Sequence, residues 1–192
     1  MRVKRLTQLA IWLSIAFVAG CTSSPTQKTH YYLLNSPSES SVERSALVTE
    51  PDFVLEQIRV PDYLMQPNLT IQQSNNQLHH ATRHLWAESI PESVSKIIVD
   101  DLQRQGLKIH DHTESDLKVP RLYIQLTHFY PTDRSEVLLS GKYWVADPEN
   151  KKILKGSHFQ FKKQLEKNGY AHSVAKMEEL LRELSALLFK EL

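Results

Sequence analysis

The chain of 192 residues contains one cysteine and five glycines. A single thiol cannot form a disulfide within the chain, so an ordinary packed core must stabilise the fold. The few glycines form no loop of the kind that cradles phosphate groups, and the GxSxG and HExxH motifs of hydrolases and zinc peptidases are absent. We therefore predict a protein that is not an enzyme and that needs no cofactor or metal.

A long apolar segment is missing as well. The one extended apolar run, residues 6–18, is shorter than the about 20 residues that a membrane-spanning helix needs. Three basic side chains precede this run, and the small residues Ala19 and Gly20 follow it. Since this layout is typical of a secretory signal peptide, we predict that residues 1–20 are removed and that the rest of the chain is not transmembrane.

The single cysteine stands directly after the predicted signal peptide. The tetrapeptide Val18-Ala19-Gly20-Cys21 resembles the lipobox of bacterial lipoproteins. The resemblance implies that the Cys21 thiol receives a diacylglycerol, that the chain is cut before it, and that the new amino group is acylated. Thr22, in place of an aspartate, implies sorting to the outer membrane. The alternatives are an ordinary signal peptide with an incidental cysteine, or an uncleaved anchor.

After removal of the predicted signal peptide, the chain has no excess of positive charge. Residues 1–20 carry three basic and no acidic side chains, so their removal changes the formal net charge from +1 to −2. This balance does not favour binding to nucleic acid. We predict a lipidated cysteine and flexible tether over residues 21–30, followed by one domain over residues 31–192.

The pattern of apolar residues predicts an α+β fold. A period of two indicates strands, and steps of three and four indicate two amphipathic helices, over residues 89–105 and from about Ser173 to the end. We expect one largely antiparallel sheet with both helices packed against it. The last helix either covers the sheet or presents its wide apolar stripe to a partner or a second copy. The segments predicted as strands are HYYLL, FVLEQIRV, LTIQQ, NQLHHA, HLWAES, LKIHDH and an antiparallel meander of three strands from Arg121.

Nine histidines are the main candidates for metal ligands or catalytic groups. The densest groups are His79-His80 with His84, and His110-Asp111-His112. Alternation along a strand would place His110 and His112 on one side, which is the arrangement that a metal site requires. Because most of these histidines stand among polar residues, we expect surface histidines rather than a metal centre.

Four aromatic residues in the last predicted strands form a second candidate site. Tyr143, Trp144, Phe159 and Phe161 could line a lipid groove, or they could pack on the sheet in its core and at an interface. The sequence favours packing.

Four segments, in their order and spacing, resemble the ABC-type transport auxiliary lipoprotein family. They are the lipobox at Cys21, HYYLL soon after it, IRVPDYLMQP at residues 58–67, and LWAESI at residues 85–90. Only Cys21 is carried over from the family as a site residue.

This resemblance implies a role in moving lipids between the two membranes of a Gram-negative bacterium. Such lipoproteins work with an MCE-domain protein that forms a tunnel through the periplasm, and with an inner-membrane transporter subunit. The chain would be the outer-membrane end, a docking ring or collar with its domain facing the periplasm. We expect strand edges and the loop VPDYLMQP to contribute to the partner contact. The alternatives are an autonomous lipid-binding carrier, an outer-membrane assembly lipoprotein, or a metal-dependent hydrolase that uses the histidines.

Overall fold

The computed structural model describes residues 27–34, 52–114 and 117–192. The predicted signal peptide, Cys21, residues 21–26 of the predicted tether and nearly all of the predicted loop at 36–52 lie outside the described residues. The helices and strands are, in chain order, β1 (His30–Tyr32), β2 (Asp52–Arg59), β3 (Asn68–Gln73), β4 (Gln77–Trp86), α1 (Ile90–Arg104), β5 (Lys108–Asp111), β6 (Arg121–Pro131), β7 (Glu136–Ala146), β8 (Ile153–Gln164) and α2 (Tyr170–Glu191).

Helix α1 lies where the sequence predicts it. Ser89 is the N-cap, and its side chain accepts a hydrogen bond from the backbone amide of Glu92 at 3.4 Å. Pro91 occupies the first turn, and Gly106 follows the helix with a φ of 95°. The predicted apolar face is buried, at Ile90, Val94, Ile97, Ile98 and Leu102.

Five strands form the larger sheet, in the order β5-β2-β6-β7-β8. Strands β6, β7 and β8 form the predicted antiparallel meander. The predicted apolar positions of β6 and β7 are 2% exposed or less, at Leu122, Ile124, Leu126, Val137, Leu139, Tyr143 and Val145. On β8, Phe159 is buried and Phe161 is partly buried.

Gly141 interrupts the apolar alternation of β7 for a steric reason. It lies opposite Phe159 on β8, whose ring fills the space above it. A Cβ atom at Gly141 would stand 2.2 Å from the backbone oxygen of Gln125, so the close approach of the neighbouring strand requires glycine there.

Three strands form a smaller sheet, in the order β1-β4-β3. Strands β3 and β4 are joined by a turn at Ser74–Asn76, where the sequence predicts it, and Asn76 has a φ of 60°. Strand β4 continues to Trp86, so the two extended pieces predicted at NQLHHA and HLWAES are one strand.

The α+β class and the two packed helices are confirmed, whereas the strands divide between two sheets and their pairing is mixed. Strand β2 pairs in parallel with both β5 and β6, and β1 pairs in parallel with β4. Alternation of apolar residues shows which face of a strand is buried but not the direction of its neighbour. The parallel pairs all join strands that are distant in sequence, where no short turn signals the pairing.

Helix α2 covers the larger sheet and packs against α1. It begins at Tyr170, three residues before the predicted start, because Gly169 with a φ of 121° ends the preceding segment. Arg182 donates to Asp101 of α1 at 2.8 Å, which joins the two helices. Burial raises the pKa of Asp101, and the charge of Arg182 opposes this effect. The covering interpretation of the apolar stripe is confirmed by its burial, at Val174, Met177, Leu180, Leu181, Leu184 and Leu188.

Neither α1 nor α2 is long and apolar enough to cross a membrane, and the described part of the chain has no other candidate helix.

The stripe on α2 should carry much of the stability of the domain. Leu184 is fully buried, so Leu184→Ala removes apolar contacts and leaves a cavity. We expect the free energy of unfolding to fall by about 2–5 kcal/mol in denaturant titrations. Phe189 on the same helix is 39% exposed and serves as the matched control, since Phe189→Ala should cost clearly less. Equal losses for the two variants would contradict this packing.

Candidate functional site

The histidines predicted as candidate ligands are distributed over separate contacts. His110 Nε2 lies 2.8 Å from Asp52 Oδ1 on the neighbouring strand, whereas His112 contacts Asp111 in the turn after β5. His80 Nδ1 lies 3.0 Å from the hydroxyl of Thr70. Within the described ranges, no three histidine, cysteine or carboxylate side chains lie together as a metal site would require.

His84 belongs to an aromatic cluster that connects three elements. Its ring stacks on Tyr170 at a centroid distance of 3.6 Å and on His30 at 5.3 Å. The hydroxyl of Tyr32 lies 2.8 Å from His84 Nδ1. Burial and, secondarily, His30 lower the pKa of His84, which favours its neutral form. The cluster attaches β1 and the start of α2 to β4, so His84 has a packing role.

Sequence patterns of serine–lysine enzymes occur in the chain but do not form a catalytic pair. Two Ser-x-x-Lys tetrapeptides lie in the helices, at Ser93–Lys96 and Ser173–Lys176, and a third begins outside the described residues. In both helical cases carboxylates pair with the lysine and raise its pKa, Glu88 foremost for Lys96 and Glu179 foremost for Lys176. A lysine acting as a base needs a lowered pKa, so neither arrangement is suited to activate a serine.

The motif VPDYL forms a joint between the two sheets. Pro61 precedes a single 3-10 turn at Asp62–Leu64, which carries the chain from β2 to β3. Tyr63 donates a hydrogen bond of 2.6 Å to the backbone oxygen of Thr127 on β6 and lies against Tyr130 at a centroid distance of 6.1 Å. Leu64 is buried. The motif therefore fixes the smaller sheet on the larger one.

The segments HYYLL and LWAES meet beside this joint. Tyr32 on β1 lies opposite Trp86 on β4, and the amide of Ala87 donates to the backbone oxygen of Tyr32 at 2.8 Å. The amide of Trp86 donates to the backbone oxygen of Pro67 at 2.7 Å. Three of the four segments that carry the family resemblance thus contact one another.

Several exposed apolar side chains remain on the surface and are candidates for partner contacts. Met65, in the loop VPDYLMQP, is 59% exposed, and Tyr31 and Leu33 near the start of the domain are 67% and 50% exposed. A second group at β8 contains Ile153 and Leu154, which are 62% and 54% exposed. Isolated exposed apolar residues are common, but a neighbouring pair at an edge strand indicates a contact surface.

The four aromatic residues predicted as a groove or core divide between two faces of the larger sheet. Tyr143 and Phe159 are buried beneath α2, and Phe161 is partly buried there. Trp144 lies on the other face, where its ring stacks in parallel with that of Tyr123 at a centroid distance of 5.1 Å. Tyr143 and Phe159 thus pack in the core, Phe161 does so in part, and Trp144 packs on the sheet against Tyr123.

These features define an α+β domain in which three of the segments that carry the family resemblance build a joint between two sheets. A family model described as the ABC-type transport auxiliary lipoprotein component matches residues 32–188, which include every helix and strand except the first two residues of β1 and the last three of α2. The chain therefore belongs to the ABC-type transport auxiliary lipoprotein family, which is a transport family and not a class of enzymes.

Two curated relatives agree with this assignment. The chain is 25% identical over 150 residues to the intermembrane transport lipoprotein PqiC of Escherichia coli (strain K12), over 77% of this chain and 75% of the relative. The match to PqiC of Shigella flexneri has the same identity and extent.

Two solved structures share the fold. An uncharacterized protein superimposes with a TM-score of 0.70 at 21% identity, over 86% of this chain and 99% of its own. Protein XCC0632 from Xanthomonas campestris superimposes with a TM-score of 0.67 at 10% identity, over 85% of this chain and 93% of its own.

The joint gives a measurable signature through Tyr63. Burial, followed by the neighbouring Tyr130, raises the pKa of its hydroxyl from 10.0 to about 12. The folded state therefore holds this proton more tightly than the unfolded state. The resulting stability is complete below pH 10 and is lost as the pH rises towards 12. Burial also raises the pKa of Tyr32, Tyr130 and Tyr143, so several tyrosines should titrate late. An alkaline titration followed by tyrosinate absorbance should show a late-titrating fraction that is smaller by one tyrosine in Tyr63→Phe.

The same substitution removes the hydrogen bond to Thr127. We expect Tyr63→Phe to lower the free energy of unfolding by about 1 kcal/mol at neutral pH. Tyr31 is 67% exposed, so Tyr31→Phe is the control and should leave the late-titrating fraction and the stability unchanged. An unaltered late-titrating fraction in Tyr63→Phe would contradict the contact.

Proposed function

We propose that this chain is the outer-membrane lipoprotein of an MCE-type intermembrane lipid transport system. In this role it holds the outer-membrane end of a periplasmic tunnel and supports membrane integrity. The family match over residues 32–188 carries the proposal, and the similarity to PqiC, an intermembrane transport lipoprotein, supports it. The partners are the MCE-domain tunnel protein and an inner-membrane transporter subunit.

The anchoring geometry agrees with a role at one membrane. The described domain begins at β1 with His30, nine residues after Cys21. Nine extended residues reach at most roughly 30 Å, so a lipid on Cys21 keeps the domain close to its own membrane. Another component must then span the periplasm, which is the part that we assign to the tunnel protein.

A homo-oligomeric collar is part of the proposal. Strands β5 and β8 stand at the two edges of the larger sheet, and edge strands offer unpaired backbone groups to a neighbouring subunit. The twelve residues of β8 and its exposed Ile153 and Leu154 support a side-by-side contact there.

The partner contact can be tested by affinity capture. Full-length tagged protein, solubilised in a mild detergent, should recover an MCE-domain protein that mass spectrometry identifies. Met65 is our candidate contact residue in the loop VPDYLMQP, and Met65→Asp should reduce the recovery about tenfold or more because it places a charge in an apolar contact. Phe189→Asp is the matched control, since Phe189 is an exposed apolar residue on α2 that belongs to none of the proposed contacts. Capture that contains no MCE-domain protein would overturn the proposal.

The anchor can be tested by fractionation and lipid labelling. Cys21→Ser should incorporate no labelled palmitate and should leave the outer-membrane fraction, because the thiol that forms the thioether is gone. Thr22→Asp should keep the lipid but move the protein to the inner-membrane fraction. Palmitate labelling that persists in Cys21→Ser would refute lipidation at this residue.

A further inference from the structure

The larger sheet has one face that the helices do not cover. Alternation along β7 places Tyr143 and Val145 under α2, so Trp144 and Lys142 point to the opposite side. Two cross-strand rows occupy this outer face and follow from the strand register. The first is Gln57–Tyr123–Trp144–Gly156 and the second is Arg59–Gln125–Lys142–His158.

The first row presents a stacked aromatic pair on this outer face. Tyr123 and Trp144 are half-buried and stack with an angle of 2° between their ring planes. Gly156 is the residue opposite Trp144 on β8, so no side chain from that strand covers the indole. A Cβ atom at this position would lie 3.0 Å from the Cβ atom of Trp144 and 2.7 Å from the backbone oxygen of Tyr143. Any larger residue would therefore obstruct the space beside the indole.

This space is a slot of about 500 Å³, a volume within the range of small-molecule sites. It is open to solvent on one side. Its boundary comes from four strands, with Arg59 on β2, Gln125 on β6, Lys142 and Trp144 on β7, and Ile153, Gly156 and His158 on β8.

The second row gives the slot a positive rim. The guanidinium of Arg59 donates through Nε to Gln57 at 2.7 Å, and Lys142 Nζ lies 5.6 Å from the centre of the Trp144 ring. Throughout the part of the chain that the structure describes, neither cation pairs with a carboxylate. Both side chains are exposed and border the same slot, so their charges are available to an anion.

We propose that this slot binds an acidic sugar, a pyranose ring that carries a carboxylate or a phosphate. The C–H face of the ring packs against the negative face of the Trp144 indole above Gly156. The guanidinium of Arg59 binds the anionic group with two parallel hydrogen bonds, and Lys142 contributes a second positive charge. Gln125 and His158 lie beside them in the same row, where they can contact ring hydroxyls. This binding site is independent of the proposed transport function.

Calorimetric titration of the detergent-solubilised full-length protein tests the site with two probes, glucose 6-phosphate and glucuronic acid. Glucose supplies the ring without the charge, and inorganic phosphate supplies the charge without the ring. We expect both acidic sugars to bind at least about tenfold more tightly than glucose or phosphate, since each control lacks one of the two contacts. Equal binding of phosphate and glucose 6-phosphate would overturn the proposal.

Three substitutions locate the binding. Trp144→Ala, Arg59→Ala and Lys142→Ala should each weaken glucose 6-phosphate binding about tenfold or more. Arg59 and Lys142 are exposed, so their variants remain informative if Trp144→Ala folds poorly. The matched control is Lys162→Ala, an exposed lysine on the same face of β8 but outside the slot, which should bind as the parent does. Unchanged affinity in the Arg59 and Lys142 variants, or binding to phosphatidylglycerol vesicles without binding to either sugar, would refute the site.

Discussion

The hydrogen bond from the Tyr63 hydroxyl to the backbone oxygen of Thr127 fixes the relation between the two sheets. The chain leaves the larger sheet at the end of β2 and forms β3 and β4 of the smaller sheet before it returns through α1. Tyr63 attaches this excursion to β6 at its first turn, and Trp86 attaches its end to Pro67. The segment from β2 to α1 is thus attached near its start and near its end. This accounts for the concentration of family-typical residues at these two attachments.

Much of the fold could be predicted from sequence because local signals determine it. Ser89, Pro91 and Gly106 delimit α1, and the alternation in β6, β7 and β8 identifies the buried face. Parallel pairing could not be predicted, since it depends on contacts between distant strands that no local pattern records. The early start of α2 depends on the positive φ of Gly169. A glycine allows a positive φ, but its presence in the sequence does not predict one.

In the candidate sites too, the sequence predicts local features but not contacts between distant strands. The histidine groups were adjacent in sequence, yet their side chains join different partners, because a strand sends neighbours to opposite faces and His112 lies in the turn beyond β5. Trp144 alternates with buried residues and therefore belongs to the outer face, which was visible in sequence. Its stacking on Tyr123 and its position opposite Gly156 depend on the register of three strands. Neither could be predicted from the sequence. For Met65, the sequence shows the motif VPDYLMQP that contains the residue, whereas only the structure shows that its side chain is exposed.

The placement of β1 has a mechanical consequence. This strand of three residues is the first element after the predicted anchor, and it pairs with β4 along its length. A pull on the lipid would act along the strand, whereas the hydrogen bonds to β4 lie across it, so the load is shared among them as shear instead of opening them one by one. The stacked rings of His30, His84 and Tyr170 pass part of that load directly to the start of α2. Tension from the predicted tether would therefore enter the domain at a strand that backbone pairing and stacked rings hold in place.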